Sequence, residues 1–289
     1  MCPPRMRSAL RSAAMQRPRR LRRALGRGAP AKPQRDATPS VLVPRRPVGS
    51  ARARMFFDDF PRFYETSDTG ADRGRLNLRY EAIFGDREET LQGARVVDIA
   101  SHDGRWSFAA LKTGAAEVVG IEAREELVRV ARANVAHYGV DDSRVRFVAG
   151  DVFARLGQSV AEADVVLCLG YLYHTLRYNE LMLRIRATNP RFLVIDTVVL
   201  PRRKRPLVKL RLDRNERQRN AVADSYSYGE ATVVGWPSLP ALELLLGAYG
   251  FAVESYADWG SLLRDNPGLE DVSDYARARR VTAWCVSVT

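Results

Sequence analysis

The stretch Val96-Val97-Asp98-Ile99-Ala100-Ser101-His102-Asp103-Gly104-Arg105-Trp106 constrains the fold more than any other. A short apolar run closes on an acid. A tight polar turn follows, and Ser107-Phe108-Ala109-Ala110-Leu111 then takes up a helical pattern. Strand, turn and helix in this order form the first unit of a nucleotide-binding α/β domain. Further along, Glu122 ends a second apolar run, Val118-Val119-Gly120-Ile121. A carboxylate in that place can accept hydrogen bonds from ribose hydroxyls. The two motifs together predict a site for an adenosine-containing cofactor.

The pattern then repeats. Apolar runs predict strands over 95–100, 117–122, 144–149, 164–169 and 191–199. Helices are predicted over 75–85, 105–113, 124–138 and 176–187. Leu127, Ala131, Val135 and Tyr138 share a face of one helix, and Tyr178, Leu181, Met182 and Ile185 share a face of another. Strands that are apolar throughout and alternate with helices indicate a parallel sheet covered on both faces. Pro237-Ser238 opens a further helix, which Gly250 stops. A strand-like Phe251-Ala252-Val253-Glu254 follows, and Arg280 to Val288 predicts a last strand able to return antiparallel.

Composition narrows the partners. The net charge of +12 suggests nucleic acid, but residues 1–54 hold fifteen basic side chains against the single acid Asp36. The remaining 235 residues hold 31 basic and 33 acidic residues, so residues 55–289 are about neutral. The tail is rich in Arg, Pro and Ala, lacks an amphipathic period and is expected to be disordered. Three readings of it stand: a basic arm for RNA or anionic lipid, a transit-like segment, or an over-called start with Met55 as initiator. Arg outnumbers Lys 42 to 4, as in genes of high GC content. No apolar run approaches the ~18 residues of a membrane helix. Cys2, Cys168 and Cys285 make no disulfide framework, and the last two are expected in the core of a cytoplasmic protein. No His/Cys/Asp cluster has metal-ligand spacing, so no metal is expected.

The turn Ala100–Gly104 holds one glycine, which makes a poor pyrophosphate cradle, and no Gly-Lys-Ser/Thr sequence exists. A cofactor without phosphate fits better. Val145-Arg146-Phe147-Val148-Ala149-Gly150-Asp151-Val152 is a third strand ending in an acid, suited to the adenine amino group. Asp98, Glu122 and Asp151 are thus expected at successive strand ends, facing one crevice. Each of them could instead cap the following helix.

This ordered set resembles the class I S-adenosylmethionine-dependent methyltransferases. The first motif, Val119-Gly120-Ile121-Glu122, Ala149-Gly150-Asp151-Val152 and Ala163-Asp164-Val165-Val166-Leu167-Cys168-Leu169-Gly170 stand in that family's order. The resemblance implies a doubly wound, mostly parallel seven-stranded sheet of Rossmann-like type with an antiparallel last strand, formed by residues 55–289. It implies S-adenosyl-L-methionine held by Asp98, Ala100, His102, Gly104, Glu122, Asp151, Val152 and Leu169. Leu169-Gly170-Tyr171-Leu172-Tyr173-His174, Leu193-Val194-Ile195-Asp196-Thr197 and Trp236-Pro237-Ser238 are similar to the branch that includes the tRNA wobble-uridine carboxymethyltransferase. In that branch a Tyr equivalent to Tyr173 and an Arg near Arg279-Arg280 help hold a carboxylated cofactor, together with a Lys before the first strand. Residues 70–97 contain no Lys, so ordinary S-adenosylmethionine is expected.

His174 follows the fourth strand and is the candidate base or acceptor-orienting group, with Tyr173 beside it as a pocket wall. Capping or packing is the alternative role for His174. His137 is expected on a far helical surface. The segment 201–235 reads as a basic insertion over the acceptor site, with Arg202, Arg203, Lys204, Arg205, Lys209, Arg211, Arg214, Arg217 and Arg219 within it. It suits a phosphate, a carboxylate, an RNA backbone or plain solvation. Tyr226 and Tyr228 add aromatic surface. The expected activity is methyl transfer to O or N of a small-molecule acceptor, with or without an anionic substituent. A tRNA- or rRNA-modifying methyltransferase and a non-catalytic cofactor-binding relative are the alternatives. Sequence leaves the oligomeric state open.

Overall fold

Five apolar runs become parallel strands in the computed structural model: β1 Arg95–Ile99, β2 Glu117–Glu122, β3 Val145–Ala149, β4 Val165–Leu169 and β5 Phe192–Val198. β8 Phe251–Tyr256 and β9 Arg280–Ser287 complete the sheet, in the order β3-β2-β1-β4-β5-β9-β8. β9 runs antiparallel to both neighbours. The structure describes residues 55–67, 72–214, 226–267 and 272–288. The tail 1–54, and with Arg217 and Arg219 the middle of the basic insertion, lie outside the described residues.

From β1 the chain winds outward through β2 to β3, then returns to place β4 on the other side of β1. The point where the winding reverses lies between β1 and β4, and ligands of open α/β sheets bind at the carboxyl ends there. Helices α4 Arg105–Lys112 and α5 Glu125–His137 cover one face. Phe108, Ala109, Val128 and Ala131 pack there, without exposure. The other face carries α6 Val152–Arg155, α7 Tyr178–Ala187 and α8 Leu239–Ala248, which bury Phe153, Leu181, Met182, Ile185, Leu242 and Leu246. Ser238 caps α8 by accepting from Ala241 N, and Gly250 follows it at φ +73°. Cys168 and Cys285 are free and buried, and burial pushes both thiols up to about 12.

Ahead of β1 come α1 Arg62–Thr66, α2 Arg73–Phe84 and α3 Glu88–Leu91. Phe57 and Phe63 are fully buried, and Phe56 stacks on Tyr80 at 3.9 Å. Several polar contacts latch this segment to the sheet domain. Arg62 Nε donates to Asn134 Oδ1 at 2.7 Å, and Thr66 Oγ1 donates to Asp103 Oδ2 at 2.9 Å.

One element was not foreseen. Within the basic insertion, β6 Val208–Arg214 and β7 Ala231–Pro237 form a separate two-stranded antiparallel hairpin. Its residues alternate with a period of two. Val208, Leu210 and Leu212 lie on one face, and Lys209, Arg211 and Asp213 on the other. α9 Trp259–Asp265 and α10 Ser273–Ala276 close the chain before β9.

Candidate cofactor and acceptor site

The turn after β1 takes left-handed backbone at Ala100, His102 and Gly104, with φ of 55°, 52° and 80°. Two of these positions carry side chains, at a cost of roughly 1–2 kcal/mol each. The loop thus keeps the alternate left-handed shape of a glycine-rich turn with one glycine present. Gly104 cannot be spared. A Cβ there would stand 2.9 Å from Phe147 Cζ and 3.0 Å from Ala131 Cβ.

The loop is held from below and from the side. Glu122 accepts from His102 N at 3.0 Å and from Arg124 N and Nε at 3.1 Å. Asp103 is fully buried and pairs with Arg105 at 2.7 Å. Burial alone would raise its pKa, but the charge of Arg105 holds the carboxyl below the usual range. Arg105 also donates to Ser67 and, at 2.9 Å, to His102 Nδ1. Arginine only donates, so Nδ1 accepts and the imidazole proton sits on Nε2. That Nε2 and Ser101 Oγ are buried without a partner.

The three strand-end acids differ in setting. Asp98 is 1% exposed and its Oδ2 accepts from Ser107 Oγ at 2.7 Å. Burial pushes its carboxyl up to about 7. Glu122 is buried and turned into the loop. Asp151 is exposed, caps α6 by accepting from Phe153 N at 2.9 Å, and lies 3.6 Å from Arg177. Only Asp151, of the three expected to face the crevice, is open to solvent. Val152 starts α6, and Leu169 ends β4 before Gly170 at φ +97°. A crevice at the winding reversal, a left-handed loop and two orphaned polar atoms on it fit the cofactor's amino-acid and adenosine parts.

Beyond β4, a single 3-10 turn, Leu172–His174, places Tyr173 and His174 with ring centres 4.2 Å apart. His174 Nδ1 lies 3.0 Å from Asp213 Oδ2 of the hairpin, and Asp213 is buried. A carboxylate accepts, so Nδ1 carries the proton and Nε2 presents its lone pair. The Tyr173 hydroxyl lies 3.4 Å from Arg280 Nη1, while Arg279 is exposed. Arg280 is itself held by Asp196, Nε to Oδ1 at 2.6 Å. Asp196 also accepts from Arg79 at 3.2 Å, Thr282 at 2.6 Å and Tyr275 at 2.9 Å. Burial would raise its pKa, but Arg280 and Arg79 hold it far below the carboxylate range. The lysine-free stretch 70–97 therefore still delivers a cation, Arg79, whose Nε is buried without a partner. His137 is exposed at the end of α5.

Sequence reasoning missed Asp196, Arg79, Arg105 and Asp213. Asp196 carried a signal, an acid inside an apolar strand. Asp213 carried none, because the hairpin from Val208 to Pro237 had to form before it met His174. Among the described residues, no cluster of three or more His, Cys, Asp or Glu could hold a metal, and no helix is long and apolar enough to cross a membrane.

Comparison with known proteins agrees with this geometry. A family model described as Methyltransferase domain (Methyltransf_25) matches residues 96–187, from β1 to the end of α7. The chain is 34% identical over 73 residues to ribosomal RNA large subunit methyltransferase I of Aeromonas hydrophila, which is 25% of this chain and 18% of that protein. The chain thus spans under a fifth of that relative's length. The structure is similar to the Burkholderia thailandensis 1,6-didemethyltoxoflavin-N1-methyltransferase with S-adenosylhomocysteine bound: TM-score 0.51, 18% identity, 85% of this chain and 93% of that one. It is also similar to an S-adenosylmethionine-dependent methyltransferase of Mesorhizobium loti: TM-score 0.50, 15% identity, 73% of this chain and 99% of that one. Residues 96–187 thus match a methyltransferase domain model, and the chain shares the fold of S-adenosylmethionine-dependent methyltransferases.

Proposed function

We propose that the protein methylates an oxygen or nitrogen of a small-molecule acceptor, with His174 as the base and Asp213 fixing its orientation. The observation that carries this reading is the 3.0 Å contact between His174 Nδ1 and Asp213 Oδ2 beside the carboxyl end of β4. Asp98, Ala100, His102, Gly104 and Glu122 shape the loop that would hold the cofactor's amino-acid end. Asp151, Val152 and Leu169 would border the adenosine. S-adenosylmethionine supplies, when bound, a methyl group already activated on positive sulfur and leaves as S-adenosylhomocysteine.

The chain's own work is alignment, exclusion of water and removal of one proton. The acceptor's O–H or N–H bond breaks as its proton passes to His174 Nε2, and the methyl group takes its place. Asp213 stabilises the imidazolium that results, as an ordinary orienting carboxylate does. Metabolites that gain a methyl group in a wild-type strain and not in a deletion strain identify the acceptor. Normal turnover of that acceptor by His174→Ala would remove the base assignment.

A second reading is methylation of RNA. The observation favouring it is the basic face of the hairpin, where Arg211 lies over the Trp236 ring at 4.4 Å and Lys209 at 6.0 Å. Phosphate contacts of that kind weaken steeply with salt. The reading expects salt-sensitive tRNA binding by the full chain that Lys209→Glu with Arg211→Glu abolishes.

A further inference from the structure

We propose that strand β6 and the basic run ahead of it form a docking surface for an anionic lipid bilayer, an inference independent of the acceptor and of His174. From Arg202 to Leu212 every residue is exposed, and no acid stands among them. Six of the eleven are cations: Arg202, Arg203, Lys204, Arg205, Lys209 and Arg211. Four of the others are large and apolar. Leu207, Val208, Leu210 and Leu212 are 49%, 42%, 63% and 49% exposed. A single exposed leucine is ordinary, but a group of them marks a surface that is covered in use.

The surface is continuous and firmly mounted. The ladder sets Leu212 opposite Val233, which is 47% exposed. These two line one concavity with Leu176, Tyr226 and Tyr228, and Tyr228 is 94% exposed. Val208 and Leu210 continue the hairpin face of Leu212. Ahead of β6, Leu207 N donates to Ser238 Oγ at 3.0 Å, and Ser238 N donates to Leu207 O at 2.7 Å. Ser238 Oγ donates to Arg205 O at 2.8 Å. The backbone leading into β6 is thus tied to the start of α8, while its side chains stand in solvent.

The mixture of chemistries selects lipid. A peripheral segment holds a membrane through cations on anionic headgroups together with apolar side chains at the acyl boundary. β6 supplies both by alternation. Lys and Arg stems lie along apolar surface and carry their charge outward, and tyrosine rings suit the boundary with water. Among the described residues β6 pairs only with β7, so its outer edge keeps N–H and C=O groups that hydrocarbon cannot satisfy. The strand therefore rests at headgroup level, on the bilayer and not across it. Two other occupants fit less well. A second copy pairing through this edge, about a two-fold at Lys209, Leu210 or Arg211, would set basic side chains opposite one another, which destabilises a ladder. RNA would use the cations and rings but would leave Val208 and Leu210 uncovered.

The test is cosedimentation of the full chain with two kinds of vesicle: phosphatidylcholine alone, and phosphatidylcholine with phosphatidylglycerol at about 2:1. We expect the mixed vesicles to bind at least about tenfold more tightly, and less so as salt rises. Lys209→Glu with Arg211→Glu should weaken that binding at least about twentyfold, since each cation near an anionic surface is worth about fivefold. Val208→Ser with Leu210→Ser should weaken it at least about fivefold while leaving binding of polyuridylate unchanged. All four positions are exposed, so the urea midpoint of both variants should match the wild type. Equal binding to the two vesicles would overturn the proposal. So would variants that bind vesicles as the wild type does, which would move the affinity to another part of the chain. Polyuridylate binding lost in the charge variant, with vesicle binding indifferent to Val208→Ser and Leu210→Ser, would make the surface an RNA site. A dimer in sedimentation velocity that Leu210→Ser splits would make it a contact between copies.

Discussion

Replacing Asp98 by asparagine should remove a component of the pH dependence of stability. Asp98 is 1% exposed, and burial raises its carboxyl from 3.8 to about 7, against the opposing hydrogen bond from Ser107 and the charge of Arg105. The folded chain therefore binds this proton more tightly than the unfolded chain. Protonation stabilises the fold below the native pKa, and that contribution is lost as pH rises through it. With one pKa unit worth ~1.36 kcal/mol, the loss between pH 5 and pH 8 integrates to about 2.5 kcal/mol. Asparagine keeps the shape and can still accept from Ser107 Oγ, but it does not titrate. Urea unfolding of both chains at pH 5, 6, 7 and 8 isolates the effect, because every other titrating group cancels in the difference. The stability of the wild type relative to the variant should fall by about 2.5 kcal/mol over that range, mostly below pH 7. A difference that stays constant with pH would refute the argument that burial governs Asp98.

Asp196→Ala should cost about 3–5 kcal/mol in urea unfolding, since it leaves Arg280 and Arg79 buried without their counterion; a loss under about 1 kcal/mol would mean that solvent reaches the cluster. Because Asp196 is held below its ordinary range, its contribution is present at neutral pH and is lost only as acid protonates it. Gly104→Ala should destabilise by about 1–3 kcal/mol through its φ of +80° and its contacts with Phe147 and Ala131. Gly139→Ala, at φ +66° in open space, should cost less, and equal losses would rule out the contact. His102→Ala should weaken S-adenosylhomocysteine about tenfold in calorimetry, the worth of one hydrogen bond to a charged carboxylate. Methylthioadenosine, which lacks the amino-acid end, should bind both chains alike; a parallel loss would show that His102 only shapes the loop.

Much of the sheet was legible because a buried parallel strand leaves little choice of residue. The runs read as 95–100, 117–122, 144–149, 164–169 and 191–199 match β1 to β5 to within a residue at each end. The winding order and the antiparallel β9 followed the expected pattern. The turn after β1 was legible in place but not in shape, since residue types gave one glycine where the backbone has three left-handed positions. Side-chain direction was not legible at all. A strand-end acid reads alike whether it turns outward, as Asp151 does, or inward onto His102 N, as Glu122 does. The Asp196 cluster draws on residues from 79 to 282, and long-range pairing of that kind leaves no local period. The hairpin escaped notice because β6 alternates apolar with charged residues, and its Arg and Lys content masked the period of two.

The β6–β7 hairpin belongs to a sheet of its own and shares no ladder with the seven central strands. Asp213 rides on it, while His174 is fixed to the end of β4. Any swing of the hairpin away from the domain separates the two. Movement of the hairpin and release of the imidazole are therefore a single coordinate. A chain with its hairpin displaced has a histidine without the Asp213 contact, and the pair is restored only as the hairpin returns.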